Sequence, residues 1–158
     1  MEEPRMAPYA KTYGLYFISG CMSLIETFQK QVEANRNNKQ CLAFCYYMIG
    51  QLYSFAFEQA SDEEKEELMK ESENAYEAAH KLSKQMSPIS ILKLSIADAY
   101  SFELINSFGR PGQGKLVAET AMQNAYLAIS SKNSFDKIHV QRVKNIINTT
   151  LKQNLEDL

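Results

Sequence analysis

A chain of 158 residues suits one domain, and 45% apolar with 23% charged residues excludes a low-complexity or disordered polymer. The formal net charge of -2 gives nucleic acid no electrostatic footprint, and no apolar run approaches the roughly 20 residues that a bilayer span requires. Residues 1–10 hold Glu2, Glu3, Arg5 and two prolines and lack the apolar stretch of a signal peptide, so Cys21, Cys41 and Cys45 are expected to be reduced thiols in a cytoplasmic protein.

Helical periodicity runs almost unbroken, with no alternating strand and no long linker. A single domain over 1–158 is therefore expected, with 1–8 disordered. Tyr13, Phe17, Gly20, Cys21, Leu24, Phe28 and Val32 trace one face of a first helix, which the polar residues 35–40 break. Leu42, Cys45, Ile49, Leu52, Tyr53 and Ala56 mark a second. Ser61 and Glu64 form a capping box, with Asp62 and Glu63 in the first turn, where the helix dipole favours anions. Leu68, Ser72, Ala75, Tyr76, Ala79 and Leu82 then give a third helix with a narrow, small-residue face. Pro88 is pre-organised for a first helical turn and is expected to open a fourth helix that runs to Ser107. Residues 109–114 form a Gly/Pro-rich loop. Two last helices cover 116–129 and 140–155, the final one capped by Ser134. The sum is an all-α, antiparallel array of about six helices. A tetratricopeptide-like helical scaffold that binds peptides is the alternative, although the tyrosines at 53, 76, 100 and 126 do not keep its period of about 34 residues.

Three features invite chemistry. Gly109-Arg110-Pro111-Gly112-Gln113-Gly114-Lys115 has the spacing of a phosphate-cradling loop, yet Leu116 stands where a magnesium-holding Ser or Thr is needed, and no strand precedes it. Cys41 and Cys45 lie four apart on one helical face, but a structural zinc needs four ligands, and His80 and His139 are the only histidines. Neither histidine has a Ser or Cys in an elbow motif to activate. No enzyme, cofactor or metal is expected.

The segment Phe44-Cys45-Tyr46-Tyr47-Met48-Ile49-Gly50-Gln51-Leu52-Tyr53-Ser54-Phe55-Ala56-Phe57-Glu58 resembles the fifth helix of 14-3-3 proteins. Ser72 to Ala79, Met86-Ser87-Pro88-Ile89, Phe102 to Ser107, Thr120-Ala121 with Ala125, and the stretch 143–151 continue the likeness in order, so that the chain is similar to helices 4–9 of that fold. The resemblance implies an adaptor of nine-helix ancestry that dimerises through N-terminal helices and holds phosphoserine or phosphothreonine peptides in an amphipathic groove. The family's phosphate is gripped by a Lys and an Arg on a third helix, which has no counterpart here, and by an Arg-Tyr pair that falls on Ser54 and Phe55. The groove lysine falls on Tyr47. The peptide-holding asparagines fall near Ile96 or Ala97 and on Thr150. Glu103 is retained, and Val143 and Ile146 keep the apolar wall.

The phosphate's charge of about -2 needs charge-assisted partners to offset its desolvation. The expectation is therefore an adaptor for protein or peptide partners, phosphorylated ones among the candidates, with doubtful phosphate dependence. Nucleic acid and membrane are not expected as partners. The face around Tyr13, Tyr16, Phe17 and Leu24 is expected to stand uncovered, giving a monomer or a dimer of another kind, unless residues 1–9 fold back over it.

Overall fold

A computed structural model describes residues 7–131 and 136–156. The fold is an all-α antiparallel array. Its helices are α1 (Ala7–Ala34), α2 (Lys39–Gln59), α3 (Asp62–Ser83), α4 (Ile91–Asn106), α5 (Pro111–Ser131) and α6 (Lys137–Ile146). A π-helical turn (Ile147–Leu151) carries α6 directly into α7 (Lys152–Glu156), so these three form one rod. The chain divides into two compact units, Met1–Tyr76 and Glu77–Leu158, the division falling inside α3. Among the described residues no helix is long and apolar enough to cross a membrane.

In the first unit, α1 begins at Ala7, earlier than its apolar pattern announces. Pro8 sits in the first turn, where its missing N–H costs nothing. Ala7 and Pro8 are thus helical, while residues 1–6 lie outside the described residues. Cys21 and Ile25 turn inward against Ile49, Leu52, Tyr53, Ala56 and Ala75. The opposite side of α1 is open, with Tyr13 76% and Tyr16 75% exposed and Phe17 and Leu24 about half exposed. Asn38 caps α2 by accepting from the Cys41 N–H at 3.1 Å. Gly50 lets α2 and α3 close together, since a Cβ there would meet the Tyr76 ring at 3.0 Å. The capping box at Ser61 forms on one side only. The Glu64 carboxylate accepts from the Ser61 hydroxyl at 2.7 Å and from the Ser61 N–H at 3.3 Å, and these bonds hold its pKa below the ordinary value. The Glu64 N–H bonds to the Ser61 carbonyl at 3.0 Å rather than to the hydroxyl.

In the second unit, Ile89, Leu94, Ala97, Ala118, Ala121, Ala125, Val143, Ile147 and Leu151 form the core. The alanines keep α5 thin enough to lie close against its neighbours. Helix α4 starts at Ile91 with Ser90 as its cap, so Pro88 lies in the preceding turn rather than at the first helical position. The Lys93 ammonium braces that turn by donating to the Lys84 carbonyl at 3.2 Å and the Met86 carbonyl at 3.1 Å. The expected glycine-rich loop is also shorter than its composition implies. Gly109 alone turns the chain, at φ 65°, and the Arg110 N–H then returns to the Leu104 carbonyl at 2.7 Å. Gly112 and Gly114 already belong to α5. Asp136 caps α6 by accepting from the Ile138 N–H at 3.0 Å; Ser134, the expected cap, lies outside the described residues. In the π-helical turn the Thr150 hydroxyl donates to the Ile146 carbonyl at 2.7 Å. Val143, Ile147 and Leu151, each four residues apart, stay on one fully buried stripe through that turn.

Candidate functional site

The positions singled out in the sequence fall on both units. Tyr47, Ser54 and Phe55 belong to α2 in the first. Positions 47, 51, 54 and 58 recur along one side of an α-helix. The Tyr47 hydroxyl accepts from Gln51 Nε2 at 3.0 Å, and its ring meets Tyr76 edge-on with centroids 6.5 Å apart. The buried Ser72 hydroxyl donates to the Gly50 carbonyl at 3.0 Å and lies 2.9 Å from the Ser54 hydroxyl. A hydroxyl has a single hydrogen. Since Ser72 gives its own to Gly50, Ser54 is the donor of the pair, and its proton points into the protein. What Ser54 can offer outward is lone pairs. Phe55 is 45% exposed and adds apolar surface. The stretch Tyr47, Gln51, Ser54, Phe55 therefore presents no cation and no outward hydroxyl proton from Ser54.

The other six positions lie in the second unit and diverge in their surroundings. Ile96 and Ala97 are 0% and 3% exposed, and Val143 is fully buried beside Ile147 and Leu151. These three are core positions with little or no exposed surface. Ile146 packs partly buried against the same core, and Glu103 is half-buried. Thr150, also half-buried, faces a polar network that the sequence does not advertise. Asn154 Nδ2 donates to Asp98 Oδ1 at 2.9 Å, to the Asp98 carbonyl at 3.1 Å and to the Ser101 hydroxyl at 3.0 Å. Burial pushes the Asp98 carboxyl above its ordinary value, and the hydrogen bond from Asn154 pulls back against that rise. The only local signal for this network was Asp98 and Ser101, two polar residues three apart inside an apolar helix; their partner is 56 residues away.

Each unit also has an open cleft. One of about 630 Å³ in the first unit is lined by Tyr46, Ile49 and Tyr53 beneath Glu26, Glu33, Glu71 and Lys30. One of about 680 Å³ in the second lies between α3, α4 and α5, with His80, Lys81, Lys84 and Lys93 on its walls. The His80 ring tilts against Tyr100 with centroids 5.3 Å apart. Burial first, then Lys84 and Lys93, lowers the His80 pKa below its ordinary value. Among the described residues no group of three His, Cys, Asp or Glu is placed to hold a metal ion. Burial, with Cys41 adding to it, pushes the Cys45 thiol up to about 11, so it is protonated and unreactive at neutral pH. The run from Gly109 to Lys115 forms an interhelical turn and a helix start, not a strand-to-helix phosphate cradle.

Comparison with known proteins adds to this geometry. The model of the 14-3-3 protein family matches residues 6–157. A 14-3-3 protein of Giardia intestinalis is 27% identical over 105 residues, which cover 66% of this chain and 42% of that protein. The 14-3-3 protein theta of Mus musculus is 25% identical over 114 residues, covering 72% and 46%. The 14-3-3 protein beta/alpha of Gallus gallus is 27% identical over 117 residues, covering 72% and 47%. The matches span less than half the length of these relatives.

Proposed function

The chain belongs to the 14-3-3 family, and we propose that it is a non-enzymatic adaptor that docks partner proteins without gripping a phosphate. The observation that carries this is the commitment of the Ser54 proton to Ser72, together with the half-exposed ring of Phe55 at the next position. A phosphate group brings about -2 charges and needs donors that replace its water. At Tyr47, Ser54 and Phe55 it meets a phenol, an acceptor and a benzyl ring. An apolar or neutral side chain from a partner suits that surface better, because burying it against Phe55 costs no charge desolvation. The family match over nearly the whole chain favours this adaptor over a tetratricopeptide-like scaffold. Three free cysteines accord with a cytoplasmic site of action.

The test is a titration of the full chain with a phosphoserine peptide and with its unphosphorylated copy, read by fluorescence anisotropy. The two affinities are expected to agree within about twofold, a difference under 0.5 kcal/mol. A preference of about tenfold or more for the phosphorylated copy, at micromolar affinity, would overturn the reading. Light scattering on the same sample distinguishes a monomer from a dimer.

A further inference from the structure

The two clefts are similar in size and opposite in charge. The first-unit cleft carries Glu26, Glu33 and Glu71 against Lys30, a local balance of -2. The cleft between α3, α4 and α5 carries Lys81, Lys84 and Lys93 against Glu77, a local balance of +2 in a chain whose net charge is -2. Two further observations set the basic cleft apart. Its wall includes His80, whose Nδ1 is buried without a hydrogen-bond partner, and no other side-chain nitrogen or oxygen among the described residues is left so. A buried imidazole nitrogen without a partner is costly, which makes this ring sensitive to charge placed beside it. Its cation is also held in place. Lys93 is fixed by two carbonyls of the turn after α3, so ordering it for a ligand costs little further side-chain entropy.

The far side of the cleft is apolar. Leu116, 62% exposed, stands with Val117 on α5, and Ala97 and Ala121 line the same space. A volume of about 680 Å³ lies within the range of small-molecule sites. We propose that the α3–α4–α5 cleft binds a small organic phosphate, with the phosphate beside His80, Lys84 and Lys93 and the apolar body against Leu116 and Val117. The phosphate's charge of about -1.5 to -2 matches the local balance, which a single carboxylate would only half neutralise. This site shares no residue with the α2 surface on which the adaptor reading rests.

A proton on His80 is coupled to this site. The titratable or charged groups that line the cleft with it are Glu77 and Lys81 from α3, Lys84 just after it, and Lys93 and Tyr100 from α4; the α5 lining, Gln113, Leu116, Val117, Thr120, Ala121 and Asn124, contributes none. A bound phosphate offsets Lys84 and Lys93, the two charges that disfavour the imidazolium. Proton uptake by His80 therefore favours binding as pH falls toward the phosphate's own second ionisation at about pH 6, below which the ligand loses charge.

The experiment is a proton NMR titration of the full chain with phenyl phosphate, following the ring signals of His80 and His139. Phenol and inorganic phosphate at matched ionic strength are the controls. His80 is expected to shift and saturate at about millimolar phenyl phosphate or below, with a raised pKa in the bound state, while His139 stays still. Lys84→Gln removes one charge-assisted hydrogen bond from an exposed position and is expected to weaken binding about tenfold with an unchanged circular dichroism melt. Leu116→Ser is expected to weaken phenyl phosphate but not inorganic phosphate. The proposal is overturned by any of three results: linear, unsaturated shifts of both histidines; equal binding of phenol; or wild-type affinity in both Lys84→Gln and Lys81→Gln.

Discussion

Asn154 supplies one amide group to three acceptors, the Asp98 carboxylate, the Asp98 carbonyl and the Ser101 hydroxyl, and Asp98 is the group with most to lose if that amide goes. Asn154→Ala is expected to lower unfolding free energy by about 1–3 kcal/mol near neutral pH, because a partly buried carboxylate loses a donor. The sign of the pH dependence follows from the raised Asp98 pKa. A carboxyl raised above its unfolded value contributes stability that is fully present below that value and lost as pH rises through the folded one. Removing Asn154 takes away a bond that lowers the pKa, so the rise grows. The cost of the substitution is then largest near neutrality and shrinks in mild acid, where Asp98 carries its own proton. Urea unfolding of both proteins in the two conditions checks it. Ser54 makes a related point about legibility. Its identity already argued against a phosphate grip. The direction of its proton could not be read from sequence, because the acceptor is Ser72, 18 residues on, and Ser72 is forced to accept only by its own bond to Gly50.

Glycines show how much of an element's meaning depends on its neighbours. Gly112 and Gly114 look alike in a loop of apparent phosphate-binding spacing, yet both lie in the first turns of α5. A Cβ at Gly112 meets nothing within 4 Å, whereas one at Gly114 would stand 2.7 Å from the Ser101 carbonyl oxygen and 2.7 Å from the Ile105 side chain. Gly114→Ala is therefore expected to destabilise by about 1–3 kcal/mol through overpacking of α4 against α5. Gly112→Ala is expected to stabilise by about 0.5 kcal/mol through helix propensity. Thermal melts of the two variants should move in opposite directions, and equal shifts would contradict the packing assigned to α5. The helices themselves were legible because amphipathic spacing repeats over several turns. Their ends were less so. Pro88 is compatible with a first turn, but Ser90 offers a side-chain acceptor to the Lys93 N–H, at 3.4 Å, and α4 starts there.

On the scale of the molecule, each unit has its own apolar core, and α1 leaves Tyr13, Leu15, Tyr16, Phe17 and Leu24 exposed to solvent. From Thr12 to Ile25 that helix has no Asp, Glu, Lys or Arg, so Tyr13 and Tyr16 are not masked by neighbouring charge along it. Tyr13→Ser combined with Tyr16→Ser is expected to raise solubility while leaving unfolding free energy within about 0.5 kcal/mol, as for surface positions that pack against nothing. Solubility limits and urea midpoints measured on one preparation test both halves of that statement. The sequence alone determined the all-α class, the order of the helices, the likeness to 14-3-3 proteins and the uncharged character of Ser54 and Phe55. These rest on residue identity and on spacing within single helices, which one chain displays in full. The tertiary structure alone decided that Ile96, Ala97 and Val143 are core, that Asn154 holds Asp98, that the Ser54 proton is spent on Ser72, and that basic and acidic side chains gather in separate clefts. Each of these depends on groups brought together from distant helices, and burial and hydrogen bonding over such distances leave no period in the sequence to read.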